Sequence, residues 1–305
     1  MRAPRPLIDR QTLEKLERLA LRWQRSFTGL FGGHNPSRFP GPGQEFLDHR
    51  HFHHGDDLRS VNWLAYMRLE RLFLKMFQIE PRVPVVILID TSESMACGAS
   101  DAQGGAAKFA YACRLAAMLC YVGLVRLDTI VLQPFSAGLA EDYRAQGGRH
   151  RFAPAMNFIM ELETGGRSDF HTSVRQLISS GPGRGLVVII SDFLDDGEIG
   201  CEAPIQHLAD FGNELLLVHV AGPEDRMPPW RGELELVDAE SGAVRHLEID
   251  QQAAAQHAAA YDEFCHGLQY LAVRNRGRYV SLSTDLPVED AIFGPLVASS
   301  GIRLR

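Results

Sequence analysis

Three oxygen-bearing side chains lie close together in the segment ILIDTSESM. Asp90, Ser92 and Ser94 supply one carboxylate and two hydroxyls within five residues. A set of oxygen ligands suits a hard cation with octahedral coordination, such as Mg²⁺ or Mn²⁺, and does not suit zinc. Turns and helix caps use the same Asp-x-Ser-x-Ser pattern, so the motif taken alone leaves a metal site and turn chemistry equally open.

Two later segments supply matching oxygens. Ser168 and Asp169 occur in GGRSDF, and Asp192 follows the apolar run VVIIS. A loop that precedes a helix and the end of a second parallel strand would converge on the edge of the sheet that carries Asp90. Open α/β sheets bind ligands at this edge. The segments together therefore predict one metal site, formed by Asp90, Ser92, Ser94, Ser168 and Asp192.

The elements that would position these side chains follow from the apolar pattern. Continuous apolar runs predict strands over residues 83–90, 129–135, 185–192 and 214–220, and helical spacing predicts helices between them, one over 108–124. Strands that are apolar on both alternations are typical of a parallel sheet covered on both faces. We therefore expect a doubly wound, mostly parallel α/β fold.

The chain after this core alternation adds further elements. Turn-forming residues and two short runs of alternating apolar and polar residues predict a small β-hairpin inserted at about residues 225–250. A helix over about 251–274 and a last strand, RYVSLST, would return the chain to the sheet. We expect this α/β domain to occupy residues 82–301.

Residues 1–81 predict a separate N-terminal segment. Asp9 can cap a helix in which apolar residues recur at helical spacing as far as Ala20 and Trp23. Residues 29–55 are dense in Gly, Pro and His without periodicity and predict an ordered loop. Residues 72–79 predict a strand covered on both sides.

Composition excludes several classes of protein. The 305 residues are 45% hydrophobic and 23% charged, which is typical of a globular chain with a large core. A net charge of -7 disfavours a nucleic-acid partner. The longest apolar run, VPVVILI, is too short to span a membrane, and no apolar stretch follows the basic N-terminus, so we expect a cytoplasmic protein. The five cysteines show no CxxC spacing.

The predicted metal site resembles the metal-ion-dependent adhesion site of the von Willebrand factor A domain, which reads Asp-x-Ser-x-Ser, then Thr, then Asp. The resemblance implies that Ser92 and Ser94 ligate the metal directly. It makes Asp90 and Asp192 acidic partners that act through water, and Ser168 the third hydroxyl in place of Thr. In that family an Asp or Glu of a protein partner completes the metal shell. The resemblance therefore implies a non-enzymatic module for metal-dependent protein recognition.

A second pattern lies upstream in the run from GQEF to FQIE. It resembles the signature of the bacterial domain-of-unknown-function 58 family, approximately EF, R-x-Y, GDD-x-R-x-I-D-W and a following Arg. Phe52 and Asn62 stand where that family has Tyr and Asp, and the resemblance covers most of residues 27–300. The matching residues are Glu45, Arg50, Gly55, Asp56, Asp57, Arg59, Trp63 and Arg68.

This second resemblance suggests both a structural role and a partner. The Asp and Arg side chains of the signature could form a charge network that fixes a loop, or a docking surface near the metal site. Relatives in the family resemble partners of MoxR-type AAA+ ATPases. The resemblance thus implies an adaptor role in a chaperone-like assembly.

The sequence leaves a second metal site and two other functions open. His49, His51, His53 and His54 suggest a zinc site, although only the residues between them match the family pattern. A magnesium-dependent hydrolase acting on a phosphoester, with Asp169 or a nearby His as base, is an alternative function. A purely structural metal is a third.

Overall fold

The computed structural model describes residues 8–21, 45–53, 61–78, 84–97, 107–181, 183–194, 200–240, 242–299 and 302–304. The chain forms two compact units, one comprising Met1–Gln24 with Val83–Arg305 and the other Arg25–Arg82. The predicted boundary at residue 81 grouped the first helix with the signature segment, whereas the structure assigns that helix to the α/β unit.

The described strands, in chain order, are β1 (Leu19–Leu21), β2 (Glu45–His51), β3 (Phe73–Gln78), β4 (Pro84–Asp90), β5 (Thr129–Phe135), β6 (Tyr143–Gln146), β7 (Leu186–Ser191), β8 (Glu214–Ala221), β9 (Gly232–Val237), β10 (Val244–Ile249), β11 (Arg278–Ser283) and β12 (Ile302–Leu304). The described helices are α1 (Arg10–Leu16), α2 (Trp63–Leu69), α3 (Ala107–Val125), α4 (Phe152–Met160), α5 (Phe170–Ser180), α6 (Glu202–Asp210), α7 (Pro223–Arg226), α8 (Gln251–Arg274) and α9 (Val288–Ala291). Short 3₁₀ turns form at Glu93–Ala96 and Arg149–Arg151, and a π-helical turn forms at Ile292–Leu296.

Six strands form the central sheet of the larger unit, in the order β11-β8-β7-β4-β5-β6. Five run parallel, and only β6 is antiparallel to its neighbour β5. This confirms the predicted mixed α/β class with a mostly parallel sheet. Numbered by their order along the chain, the strands lie in the sequence 3-2-1-4-5-6, so the direction of winding reverses between β4 and β7.

The strands of this sheet are apolar on both alternations because both faces are covered. Val85, Ile87 and Ile89 pack in one core cluster with α1, α3 and α4, whereas Val86 and Leu88 pack in a second cluster with α5, α6 and α8. Each fully buried aliphatic side chain contributes about 1.5–3 kcal/mol of hydrophobic stabilisation. The two clusters together hold β4 at the centre of the sheet.

The central helix α3 lies almost entirely within the first core cluster. Its span Lys108–Val125 is long and apolar enough to cross a membrane by length and composition. However, 78% of that span is buried against the rest of the protein, which is also typical of a core helix.

The N-terminal helix is shorter than its apolar stripe predicted. Asp9 caps α1 as expected, accepting a hydrogen bond of 2.6 Å from the Thr12 backbone amide. The helix ends at Leu16, and Ala20 lies in β1, which pairs antiparallel with β12. A strand partner almost three hundred residues away thus overrides the helical spacing, and Trp23 lies outside the described residues.

The smaller unit contains β2 and β3, paired antiparallel, with α2 between them. Residues 45–51 form a strand although they fall within the predicted loop, because β3 supplies their hydrogen-bonding partner; residues 29–44 lie outside the described residues. Asn62 caps α2, accepting a hydrogen bond of 3.3 Å from the Ala65 amide. Asn and Asp cap helices about equally well, so this substitution in the signature keeps the cap.

The inserted hairpin is present at the predicted place. β9 and β10 pair antiparallel from Val237 with Val244 to Gly232 with Ile249. No residue of either strand is fully buried. The hairpin is therefore attached to its unit with little hydrophobic burial.

Candidate metal centre

The reversal of winding between β4 and β7 brings together the two predicted carboxylates. Asp90 is the last residue of β4, and Asp192 directly follows β7. The side chains of Asp90, Ser92 and Asp192 are almost wholly excluded from solvent, each at most 1% exposed. Because the carboxyl ends of neighbouring parallel strands meet at one edge, the topology alone predicts this proximity.

Hydrogen bonds join four of the five predicted site residues into one cluster. The Asp90 carboxylate accepts bonds from the Ser92 amide, at 2.9 Å, and from the Ser191 hydroxyl. The Ser92 and Ser94 hydroxyl oxygens lie 2.9 Å apart, and the Ser94 hydroxyl donates to Asp192 Oδ1 at 3.3 Å. We call Asp90, Ser92, Ser94 and Asp192 the aspartate–serine cluster.

The fifth predicted residue, Ser168, reaches this edge through the backbone of its loop. The Gly165 amide donates to the Thr91 carbonyl at 2.8 Å, and the Glu93 amide donates to the Gly166 carbonyl at 3.0 Å. Gly166 has φ +82°, a conformation that favours glycine. Ser168 is buried, but among the described residues its hydroxyl makes no hydrogen bond to the aspartate–serine cluster.

Lys108 is a member of this site that the sequence analysis missed. Its ammonium lies 3.1 Å from Asp192 Oδ2 and 3.4 Å from Asp225 Oδ2, and the residue is only 2% exposed. Burial by itself would lower the pKa of Lys108, but the two carboxylates outweigh that effect and raise the pKa above its ordinary value. Lys108 lies in the first turn of α3, where a positive charge is unfavourable beside the helix dipole. This unusual position was the one sequence signal that could have identified Lys108.

Electrostatics at the site leave an excess of negative charge. The carboxylates of Asp192 and Asp225 contact the Lys108 ammonium, and Asp90 is a third carboxylate, close enough to Asp192 to feel its charge. Burial, and then the charge of Asp192, raise the pKa of Asp90 to about 7 in spite of hydrogen bonds from Ser191 and Ser92. A buried excess of carboxylates with neighbouring hydroxyls matches the charge and ligand preference of Mg²⁺ or Mn²⁺. The residues present therefore fit the predicted ion.

The site depends on hydroxyls as well as acids. Within the described ranges, no three His, Cys, Asp or Glu side chains are grouped so that they could hold a metal. Of the histidines considered for zinc, His51 and His53 are exposed, the His51 ring packs 4.8 Å from the Phe73 ring, and His54 lies outside the described residues.

Asp169, the candidate base of the hydrolase alternative, serves as a helix cap. Its carboxylate accepts bonds from the Thr172 amide at 2.8 Å and from the Thr172 hydroxyl at 2.7 Å, at the start of α5. Burial raises the pKa of Asp169, but these hydrogen bonds outweigh it and leave the pKa below its usual range. The carboxylate is thus engaged within its own helix.

The structure describes only half of the signature residues. Glu45 and Arg50 lie in β2, and Trp63 and Arg68 lie on α2, where both are exposed. The predicted charge network falls mainly outside the described part of the chain, which omits Gly55, Asp56, Asp57 and Arg59.

Glu240 is a second residue that the sequence analysis missed. It lies in the turn of the β9–β10 hairpin, and its Oε2 accepts a hydrogen bond of 3.1 Å from the Ser168 amide. The contact joins residues 72 positions apart, and only its place in the turn of the inserted hairpin could have drawn attention to it.

Comparison with known proteins gives relatives that are themselves uncharacterised. The chain is 26% identical over 261 residues to Uncharacterized protein Rv1480 of Mycobacterium tuberculosis, a match that covers 82% of this chain and 80% of that protein. It is 35% identical over 125 residues to Uncharacterized protein MAV169 of Mycobacterium avium, covering 38% of this chain and 72% of that protein.

Among solved structures, the chain is similar to the conserved hypothetical protein BatB of Bacteroides thetaiotaomicron, with 18% identity, a TM-score of 0.40, and coverage of 72% of this chain and 98% of that one. It is also similar to an aerotolerance-related membrane protein of Bacteroides fragilis, with 18% identity, a TM-score of 0.41, and coverage of 71% and 99%. The model of the family described as "Protein of unknown function DUF58" matches residues 48–264, well over half of the chain. That match includes β4, α3, β7 and the hairpin, and on this basis the chain belongs to the DUF58 family.

Proposed function

We propose that this protein is a non-enzymatic module that recognises a protein partner through a bound Mg²⁺ or Mn²⁺. The observation that carries the proposal is the aspartate–serine cluster, in which two hydroxyls 2.9 Å apart lie between two buried carboxylates at the reversal point of the sheet. The resemblance to the metal-ion-dependent adhesion site of the von Willebrand factor A domain supports the same arrangement.

Ser92 and Ser94 would ligate the ion directly in this proposal. Asp90 and Asp192 would balance its charge, and Ser168 would add a hydroxyl from the neighbouring loop. A dication balanced by two carboxylates and neutral hydroxyls still attracts a further anion. An Asp or Glu side chain of the partner would supply that anion and complete the shell.

The partner we propose is a MoxR-type AAA+ ATPase, for which this chain would act as an adaptor in the cytoplasm. This step follows from the family resemblance, which pairs such chains with these ATPases. It is independent of the identity of the ion, so it can be tested separately.

The metal site is tested by calorimetric titration of the full chain with Mn²⁺ and with Mg²⁺. We expect one bound ion, and we expect the double variant Ser92→Ala, Ser94→Ala to weaken it by roughly 10–100-fold. Ser173→Ala is the matched control, because Ser173 is equally buried but lies on α5 and donates to the Ser136 carbonyl. Equal affinity in the double variant and the control would exclude the site.

The partner is tested by mixing the purified chain with the MoxR-type ATPase of the same organism. Co-elution is expected in Mg²⁺ and is expected to disappear in chelator and in the double variant. Association that persists in chelator would place the interface elsewhere. Magnesium-dependent hydrolysis of p-nitrophenyl phosphate that the double variant loses would favour the hydrolase instead.

A further inference from the structure

The β9–β10 hairpin places one acidic side chain on the loop that carries Ser168. Its turn is closed by hydrogen bonds of 2.9 Å from the Asp238 amide to the Ala243 carbonyl and from the Gly242 amide to the Asp238 carbonyl. Gly242 takes φ +68°, which favours glycine and shapes the turn. Glu240 lies in this turn, and its carboxylate binds the amide of Ser168 at 3.1 Å.

The position of this carboxylate is unusual for a surface hairpin. Glu240 is partly buried, and its Oε1 is shielded from solvent. The other acidic residues of the hairpin, including Glu233 and Glu235, are exposed. The hairpin therefore places one of its carboxylates inward, and it places that carboxylate on the loop that carries a predicted metal ligand.

The charge of Glu240 determines how a bound metal would affect this contact. A divalent cation beside the serine hydroxyls would attract the Glu240 carboxylate. The contact between Glu240 and the Ser168 loop is thus one that a bound metal would strengthen.

We infer that Glu240 is an internal carboxylate ligand of the metal centre, and that it occupies the position which the partner's acidic side chain takes on binding. This inference rests on the proposed function and adds a regulation to it. The partner must displace the hairpin to reach the ion. Displacement is feasible because no residue of β9 or β10 is fully buried.

The test uses the full chain, Mn²⁺ and acetate as the probe for a partner carboxylate. Mn²⁺ affinity and the water-proton relaxivity of the bound ion are measured for the wild type, Glu240→Ala, Glu240→Gln and the control Glu233→Gln. Glutamine keeps an acceptor for the Ser168 amide but removes the charge, so it separates a metal ligand from a structural brace. Ser94→Ala is included to report on the metal site itself.

We expect Glu240→Ala and Glu240→Gln to bind Mn²⁺ about tenfold more weakly than the wild type and Glu233→Gln, because a charged ligand is lost. The water-proton relaxivity of Mn²⁺ bound to Glu240→Ala should rise by about the contribution of one additional bound water molecule, since a coordination position opens. Acetate should restore Mn²⁺ affinity in Glu240→Ala and leave the wild type unchanged.

Two other outcomes would overturn the inference, and they differ in what they say of the proposed function. If Mn²⁺ binds through Ser94 but both Glu240 variants match Glu233→Gln, the metal site stands and Glu240 is only a brace. If the wild type binds no Mn²⁺, or Ser94→Ala binds it equally well, both the metal site and its internal ligand are excluded.

Discussion

Two groups of hydrogen-bonded polar side chains lie at the central sheet and differ in charge. The aspartate–serine cluster, at the ends of β4 and β7, has carboxylates in excess of its one ammonium partner. The second group joins β8, β11 and α8: His219 Nδ1 on β8 is 2.8 Å from the Tyr279 hydroxyl on β11 and 3.8 Å from the Cys265 sulfur on α8. We call His219, Cys265 and Tyr279 the histidine cluster.

The polar side chains of the histidine cluster contact one another, and no charged group is needed to balance them. The His219 ring is surrounded by the rings of Phe193, Tyr261, Phe264 and Tyr279, at centroid distances of 5.8–6.1 Å. Burial lowers the pKa of His219 to about 4, so the ring is neutral near pH 7. A neutral, hydrogen-bonded cluster is stable by itself, whereas an uncompensated charged one calls for a cation. The two clusters therefore differ in their balance of charge: the histidine cluster is neutral, whereas the aspartate–serine cluster has more carboxylates than ammonium groups.

Removal of the Lys108 ammonium, which contacts the aspartate–serine cluster, should have the largest effect. Lys108→Met keeps the apolar stem but leaves Asp192 and Asp225 without their cation, so we expect the unfolding free energy in chelator to fall by about 3–5 kcal/mol. Excess Mg²⁺ should recover part of this loss, because an ion bound only by the folded state stabilises it. Urea denaturation with and without Mg²⁺ measures both effects.

The control for Lys108→Met is Arg114→Met, on the same helix. Arg114 pairs with Glu289 at 3.3 Å, but both side chains are partly exposed, so the loss should stay below about 1 kcal/mol and should not respond to Mg²⁺. Equal losses in the two variants would contradict the excess of charge at the aspartate–serine cluster.

The lowered pKa of His219 in the histidine cluster should make the stability of the protein depend on pH. His219 binds a proton below about pH 4 when folded, but below about pH 6.5 when unfolded. The unfolded state thus binds more protons between these values, so this residue's contribution to stability falls as pH decreases through that window. The total change is about 3 kcal/mol.

His219→Asn isolates that contribution, because it keeps a polar group near Tyr279 without a titrating ring. Urea denaturation at pH 7 and pH 4 gives the difference between the two proteins, in which the titration of Asp90 and other shared groups cancels. We expect the wild type to lose about 3 kcal/mol relative to the variant at the lower pH. A difference that does not vary with pH would show that folding does not lower the pKa of His219.

The smallest expected effect is that of replacing Asp169, which lies beside the predicted metal ligand Ser168 in sequence. Asp169 lies next to Ser168 in sequence but caps α5, so Asp169→Ala should cost about 1 kcal/mol of stability and leave Mn²⁺ affinity unchanged. Thermal denaturation and calorimetric titration measure these two quantities. Loss of Mn²⁺ binding in Asp169→Ala would extend the metal centre to this carboxylate and revive its role as a candidate base.

The strands of the central sheet could be predicted because they are continuous apolar runs, which both faces of a covered sheet require. β6 was missed, since its four residues, YRAQ, form a partly exposed edge strand with no apolar run. The end of α1 was also missed, because β1 forms only by pairing with β12. Local periodicity does not report such distant partners.

The candidate site also contains residues that the sequence predicted and residues that it did not. Asp90, Ser92, Ser94 and Asp192 were predicted together, since each lies at or just after the end of an apolar strand. Their convergence follows from parallel pairing of neighbouring strands.

Residue type and apolar pattern are local properties, so they were enough to locate these oxygen-bearing residues at the strand ends. Their surroundings depend on how distant segments fold together. Lys108 meets Asp192 across 84 positions, and Glu240 meets Ser168 across 72. Electrostatic balance depends on distance in space, and no spacing along the chain encodes it.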